Sequence, residues 1–220
     1  MPYLNPLNLV YPIATLAGVF VLVASMMISA LAYRGKQGER YSILNHFISE
    51  LGEQGVSRLA KVFNTSMIMA GVLFLPMMIG LGFLLHNVWA KLGMVAGLVA
   101  AAACICVGIF PMNKIKPHTT AALTYFRSGL VTILLFTVAI FAQPRGEIII
   151  PFWVTSFGFF SVLLYAVFLL LPEWNKKEGE TNSETLDPGD QPERKRFWRL
   201  PFLEWLVFLS TILWFLVLVL

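Results

Sequence analysis

Three side chains that together suit nucleophilic or metal-assisted chemistry crowd into the stretch "NHFISELGEQGVSRLAKVFN": His46, Ser49 and Glu50, with Asn64 at its end. A second polar stretch, "FPMNKIKPHTTAALTYFRSG", adds Asn113, Lys114, Lys116, His118 and Arg127. A serine becomes a nucleophile when a histidine takes its proton and a carboxylate orients that histidine, a role set open to Ser49, His118 and Glu50. No G-x-S-x-G elbow surrounds Ser49, however, and Glu50 is its immediate neighbour in sequence. Two imidazoles and a carboxylate also make an open metal site, but His46, Glu50 and His118 lack HExxH or comparable ligand spacing, so no metal is expected. Nor does the chain hold a Walker loop, a CxxCH haem site or a Rossmann fingerprint, and no cofactor is expected. The plainer reading is structural: Ser49 and Glu50 cap and tie a loop helix, and His118 bonds a carbonyl or caps the helix after it.

The elements that must position these groups are apolar. Of 220 residues 58% are hydrophobic and 13% charged, against about 25% charged in a soluble domain. A helix crossing a hydrocarbon core about 30 Å thick needs roughly 20 apolar residues. Six such runs occur: Tyr11 to Tyr33, Asn64 to Leu85, Trp89 to Phe110, Tyr125 to Gln143, Ile149 to Leu171 and Phe202 to Leu220. Lipid offers no partner to backbone polar groups, so an all-α integral membrane bundle of six transmembrane helices is expected, with no alternating barrel pattern in view. Residues 1–171 form a five-helix core in this reading, 172–200 a flexible tether and 201–220 a C-terminal helix packed peripherally. The first run has no basic stretch before it and no small-residue cleavage site after it, and it reads as a permanent helix.

Lys and Arg orient membrane chains. Fourteen of the sixteen lie between, or at the facing ends of, runs one and two, three and four, or five and six, leaving only Lys91 and Arg145 for the other side. Both termini are therefore expected outside the cytoplasm. The net charge of +4 points to membrane orientation and anionic headgroups rather than nucleic acid. Arg127 with Lys114 and Lys116 suits a lipid phosphate; the same cations also serve as snorkelling anchors. Within Tyr41 to Leu51 the apolar residues recur at helical spacing, which predicts a short amphipathic helix at the interface, and Ser57 is expected to cap the next helix. Cys104 and Cys106 fall on opposite sides of one helix and are not expected to pair. Gly93, Gly97 and Ala100 to Ala103 offer a small-residue face for packing inside the bundle or for a homodimer. No Asp, Lys or Arg stands at mid-membrane, which argues against an ion pump.

The strings "ISELG", "FNTSMIMAG", "VGIFP" and "NKIKPHTTAALTYF" resemble the pattern of domain of unknown function family 998, related to the Frag, DRAM and Sfk multi-helix membrane proteins. The resemblance spans about residues 10 to 171 and maps onto Ile48, Ser49, Glu50, Leu51, Gly52, Asn64, Gly71, Gly108, Pro111 and His118. It implies a five- or six-helix bundle. Its prokaryotic members are mostly uncharacterised, while eukaryotic relatives are linked to lipid-anchor remodelling, autophagy and lipid organisation. Many members place the "ISELG" loop outside, whereas five flanking cations place it inside here.

Together these features lead to one expectation: a headgroup-sized polar pocket on the basic side that binds a lipid or amphiphile, with His46, Asn64, Asn113, Lys114, Lys116 and Arg127 as binding residues. Two other classes stand beside it. One is a lipid-remodelling hydrolase or transferase using Ser49, Glu50 and His118, and the other is a subunit of a homo-oligomer or larger membrane assembly.

Overall fold

The computed structural model describes residues 6–144, 146, 148–171 and 196–219. They form six α-helices: α1 (Pro6–Ala32), α2 (Ala60–Leu84), α3 (Val88–Ile109), α4 (Ile115–Phe141), α5 (Val154–Leu170) and α6 (Arg199–Val217), with a 3-10 turn at Ile48–Gly52. No strand occurs among the described residues. All but α5 are long and apolar enough to cross a membrane. At 17 residues, α5 spans about 26 Å. The chain is a multi-pass helical membrane protein.

Each helix packs on the next, and α6 returns to touch α1. Glycines bring α2 and α3 into close contact. A Cβ on Gly108 would lie 2.5 Å from the Asn64 carbonyl oxygen and one on Gly71 2.9 Å from that of Ala101, so these backbones meet without side chains between them. Gly93 and Gly97 are buried and face Phe136, and Met78 with Thr132, respectively. The small-residue face is thus used inside the bundle. Buried Cys104 donates its thiol to the Met67 carbonyl at 3.4 Å, and both cysteines are free. The sixth helix, expected at the periphery, lies along α5, yet its aromatic side chains reach the core. Fully buried Trp214 stands 6.4 Å from the Phe136 ring, and Phe215 4.9 Å from Phe74. Residues 172–195, most of the expected tether, lie outside the described residues.

Four local expectations are corrected. The fourth helix starts at Ile115 rather than near Tyr125. Thr120, Thr124, Ser128 and Thr132 each donate a hydroxyl to the carbonyl four residues back, at 3.1, 2.8, 2.6 and 2.7 Å. Polar residues that read as loop therefore satisfy themselves on the helix. The fifth helix starts at Val154, not Ile149, because residues 148–153 form a turn organised by buried Gln143. The amphipathic helix over 41–51 shrinks to the 3-10 turn, and Leu51 is fully buried rather than lying on the interface. Ser57 caps nothing. The second helix begins three residues later at Ala60, and the Ser57 hydroxyl is buried without a hydrogen-bond partner among the described residues.

The two ends of the bundle differ in their connections. The segment 33–59 meets the α3–α4 connection and the start of α6: Asn113 exchanges two hydrogen bonds with the Gln54 backbone at 2.7 and 2.8 Å, and Trp198 N–H donates to the Leu44 carbonyl at 2.9 Å. At the far end Asn87, between α2 and α3, donates to the Ala139 carbonyl near the end of α4 at 3.0 Å.

Candidate functional site

The loop after α1 does not become a helix because its backbone donors are taken by side chains. Phe47 N–H donates to Glu50 Oε1 at 2.9 Å, and the next amide, Ile48 N–H, donates to Glu204 Oε2 at 2.8 Å. One carboxylate is local, reaching back to the N-cap amide as the acid of a capping box does, although Phe47 has no side-chain oxygen to return the bond; the other comes from α6. Ser42 N–H points to His46 Nδ1 at 3.2 Å, and that nitrogen also lies 2.7 Å from Asn45 Oδ1. The Tyr41 hydroxyl lies 3.0 and 3.3 Å from the Phe47 and His46 carbonyls, to which it donates, and it accepts from Trp205 Nε1 at 2.9 Å. Past the 3-10 turn, Gly55 takes a left-handed φ of +85°, which glycine adopts without a Cβ clash.

These contacts wall a recess of about 410 Å³ beneath the end of α1. Tyr33, His46 and Glu50 form its buried side, and Lys36, Glu39, Arg40 and Glu53 its rim. The Tyr33 ring meets the Tyr41 and His46 rings edge-on, at 5.4 Å in both cases, and its hydroxyl lies 3.5 Å from Glu50 Oε2. Lys36 pairs with Glu53 at 3.3 Å. Burial, reinforced by the neighbouring Glu204 carboxylate, holds the Tyr41 phenol far above its ordinary range despite the Trp205 hydrogen bond. It therefore stays a hydroxyl donor at any physiological pH.

Of the sequence-derived candidates, His46 and Glu50 reach this recess. Ser49 turns the other way, its Oγ 3.8 Å from Met112 Sδ. His118 is buried at the start of α4 with Nδ1 2.8 Å from the Phe110 carbonyl, holding the end of α3 to α4. Asn64 donates to the Gly52 carbonyl at 3.0 Å and so ties the 3-10 turn to α2. Asn113 clamps the loop through Gln54, Lys114 and Lys116 are exposed at the start of α4, and Arg127, expected to open that helix, is exposed 12 residues into it. Ser49, Glu50 and His118 thus each hold a different partner. Among the described residues no three His, Cys, Asp or Glu side chains are placed to share a metal.

Tyr33, Lys36, Arg40, Tyr41, Glu204 and Trp205 were not among the candidates. One of them carried a signal. Glu204 is the only acid in the sixth apolar run, and a carboxylate in such a helix must find donors or face water.

Six helices, five of them long enough to span a bilayer, with a charged recess at one end define a polytopic membrane protein with a built polar site. The model of one family, described as "Protein of unknown function (DUF998)", matches residues 16–220, and the chain belongs to that family. No curated protein and no solved structure matches it.

Proposed function

We propose that the protein holds the headgroup of a membrane amphiphile in the recess beneath α1 and organises lipid there without transforming it. The recess itself carries this reading. It is a cavity of about 410 Å³ lined by both signs of charge at the end of an apolar bundle, within the roughly 300–1,000 Å³ of small-molecule sites. Lys36 and Arg40 offer donors to a phosphate, and Glu39, Glu50 and Glu53 offer acceptors to an amine or hydroxyls. The positive-inside rule turns this end to the cytoplasm, where anionic lipids gather. The wider resemblance to the Frag, DRAM and Sfk proteins points toward lipids as well. The remodelling-enzyme reading is the weaker one, because Ser49 faces Met112 while His118 is held by the Phe110 carbonyl.

The test uses the full chain in nanodiscs containing phosphatidylethanolamine, phosphatidylglycerol and phosphatidylcholine, with retained lipid counted by native mass spectrometry. Arg40→Ala and Lys36→Ala each lower retention of one lipid class about fivefold, the effect of ~1 kcal/mol per basic contact. Unchanged retention in both variants sinks the binding reading. Release of a lysolipid or free headgroup that Ser49→Ala abolishes replaces it with the enzyme, and co-purification of a stoichiometric protein partner replaces it with the assembly subunit.

A further inference from the structure

A second depression lies along the α1–α2 seam, between two apolar helices. It is a shallow groove of about 500 Å³ in which Ala24 and Ser25 of α1 and Ser66 of α2 form the floor, and Ile28, Val62 and Met69 the rims. Small residues make the hollow and large ones bound it. The two floor hydroxyls are internally engaged, while Thr65 stands exposed on the wall. Ser66 Oγ donates to the Phe63 carbonyl at 2.7 Å and accepts from Ser25 Oγ at 2.5 Å, which also lies 2.9 Å from the Leu22 carbonyl. Such a floor suits methylene groups, since no donor is left wanting water.

The loop end of the groove is different. Lys61 lines it there, exposed, and among the described residues the ion pair formed is Lys36 with Glu53, leaving Lys61 without a carboxylate. Exposed Arg58 precedes it by about one turn. From Lys61 to Met69 is about 12 Å of helix rise, inside one leaflet of roughly 15 Å. A cation at headgroup level above an apolar trough that runs into the leaflet matches an amphiphile with a negative head.

We propose that this groove seats one acyl chain of an anionic diacyl phospholipid whose phosphate pairs with Lys61. The site is separate from the recess and does not rest on the function assigned to it. An anionic headgroup gains the Lys61 charge, and a zwitterionic lipid fills the same trough with less preference.

The experiment reconstitutes the full chain in nanodiscs of equal phosphatidylglycerol and phosphatidylcholine. Each lipid is supplied in turn with a photoreactive diazirine on one acyl chain, and retained lipid is counted by native mass spectrometry. Phosphatidylglycerol is expected to crosslink within residues 21–28 and 62–69. Lys61→Gln, at an exposed position, lowers the phosphatidylglycerol preference about fivefold while crosslinking by the phosphatidylcholine probe persists. Ala24→Leu fills the trough and lowers crosslinking by both. Arg40→Ala, in the recess, leaves the crosslink map unchanged, so failure of the recess reading and failure of this one are told apart. An unaltered preference in Lys61→Gln, or crosslinks spread evenly over the lipid-facing helices, overturns the proposal.

Discussion

The two ends of this bundle solve one problem in two chemistries. Where helices stop, backbone groups lose their partners and must be satisfied by something else. At the end bearing the α2–α3 and α4–α5 connections, neutral amides do this. Asn87 caps α3 by accepting from Ala90 N–H at 3.0 Å and donates to the Leu85 and Ala139 carbonyls. Gln143 accepts from Ile149 and Ile150 N–H at 2.9 and 3.0 Å and donates to the Ile140 and Ile150 carbonyls at 2.8 Å each. The Gln143 amide spends both of its hydrogens there and nothing is left to meet a ligand. At the opposite end the backbone donors go to carboxyl oxygens of Glu50 and Glu204, groups with more acceptor sites than these bonds use. One end is closed by its own bonds, while the other keeps spare charge and a cavity.

The comparison breaks most visibly at Glu204. Glu204→Leu leaves the buried Ile48 N–H unpaired, and unfolding in mild detergent should show a loss of about 3 kcal/mol, the upper end of the cost of an orphaned buried donor. Glu204→Gln keeps an acceptor in place and should lose about 1 kcal/mol. A Leu variant as stable as the parent would mean that the α6 contact does not hold the loop. Gln143→Ala comes next, with an expected loss of about 2 kcal/mol and no change in lipid retention. If it altered retention as much as Arg40→Ala does, the two ends would not be functionally distinct. Asn113→Ala should lose about 1 kcal/mol and loosen the loop locally, read as faster amide exchange at Gln54 with α3 and α4 unchanged.

The six helices were legible because hydrophobic length marks a lipid crossing, and five of them are long enough to make one, but their ends were not. The start of α4 was hidden by Thr120, Thr124 and Ser128, whose polarity reads as loop until one sees that each feeds the carbonyl four residues back. The α5 boundary depended on Gln143, a residue placed at the end of an apolar run with no hint that it would gather four backbone groups. In the 41–51 stretch the apolar spacing grouped Ile48 and Leu51 on one stripe but revealed neither their burial nor the backbone shape. That shape is dictated by Glu204, 156 residues away, and no local pattern contains it. The family strings drew attention to Glu50 and Asn64, both of which hold the loop. Arg40 and Tyr33 line the cavity only through tertiary placement.

The smallest effect separates structural from ionic contributions at the charged end. Tyr41→Phe removes a hydroxyl that serves Trp205 and the Phe47 carbonyl, and near neutral pH this should lower stability by about 1 kcal/mol. A phenol whose proton is held more tightly when folded than when unfolded contributes fully below its unfolded value of about 10 and loses that contribution as pH rises past it. With Tyr41 shifted upward by burial and by Glu204, the parent should lose stability between about pH 9.5 and 11 more steeply than Tyr41→Phe. The two profiles therefore converge as the solution becomes more alkaline. Parallel profiles would mean that the Tyr41 hydroxyl opens to water before the protein unfolds, and the loop would then be less firmly seated on α6 than the amide-closed end is on its own helices.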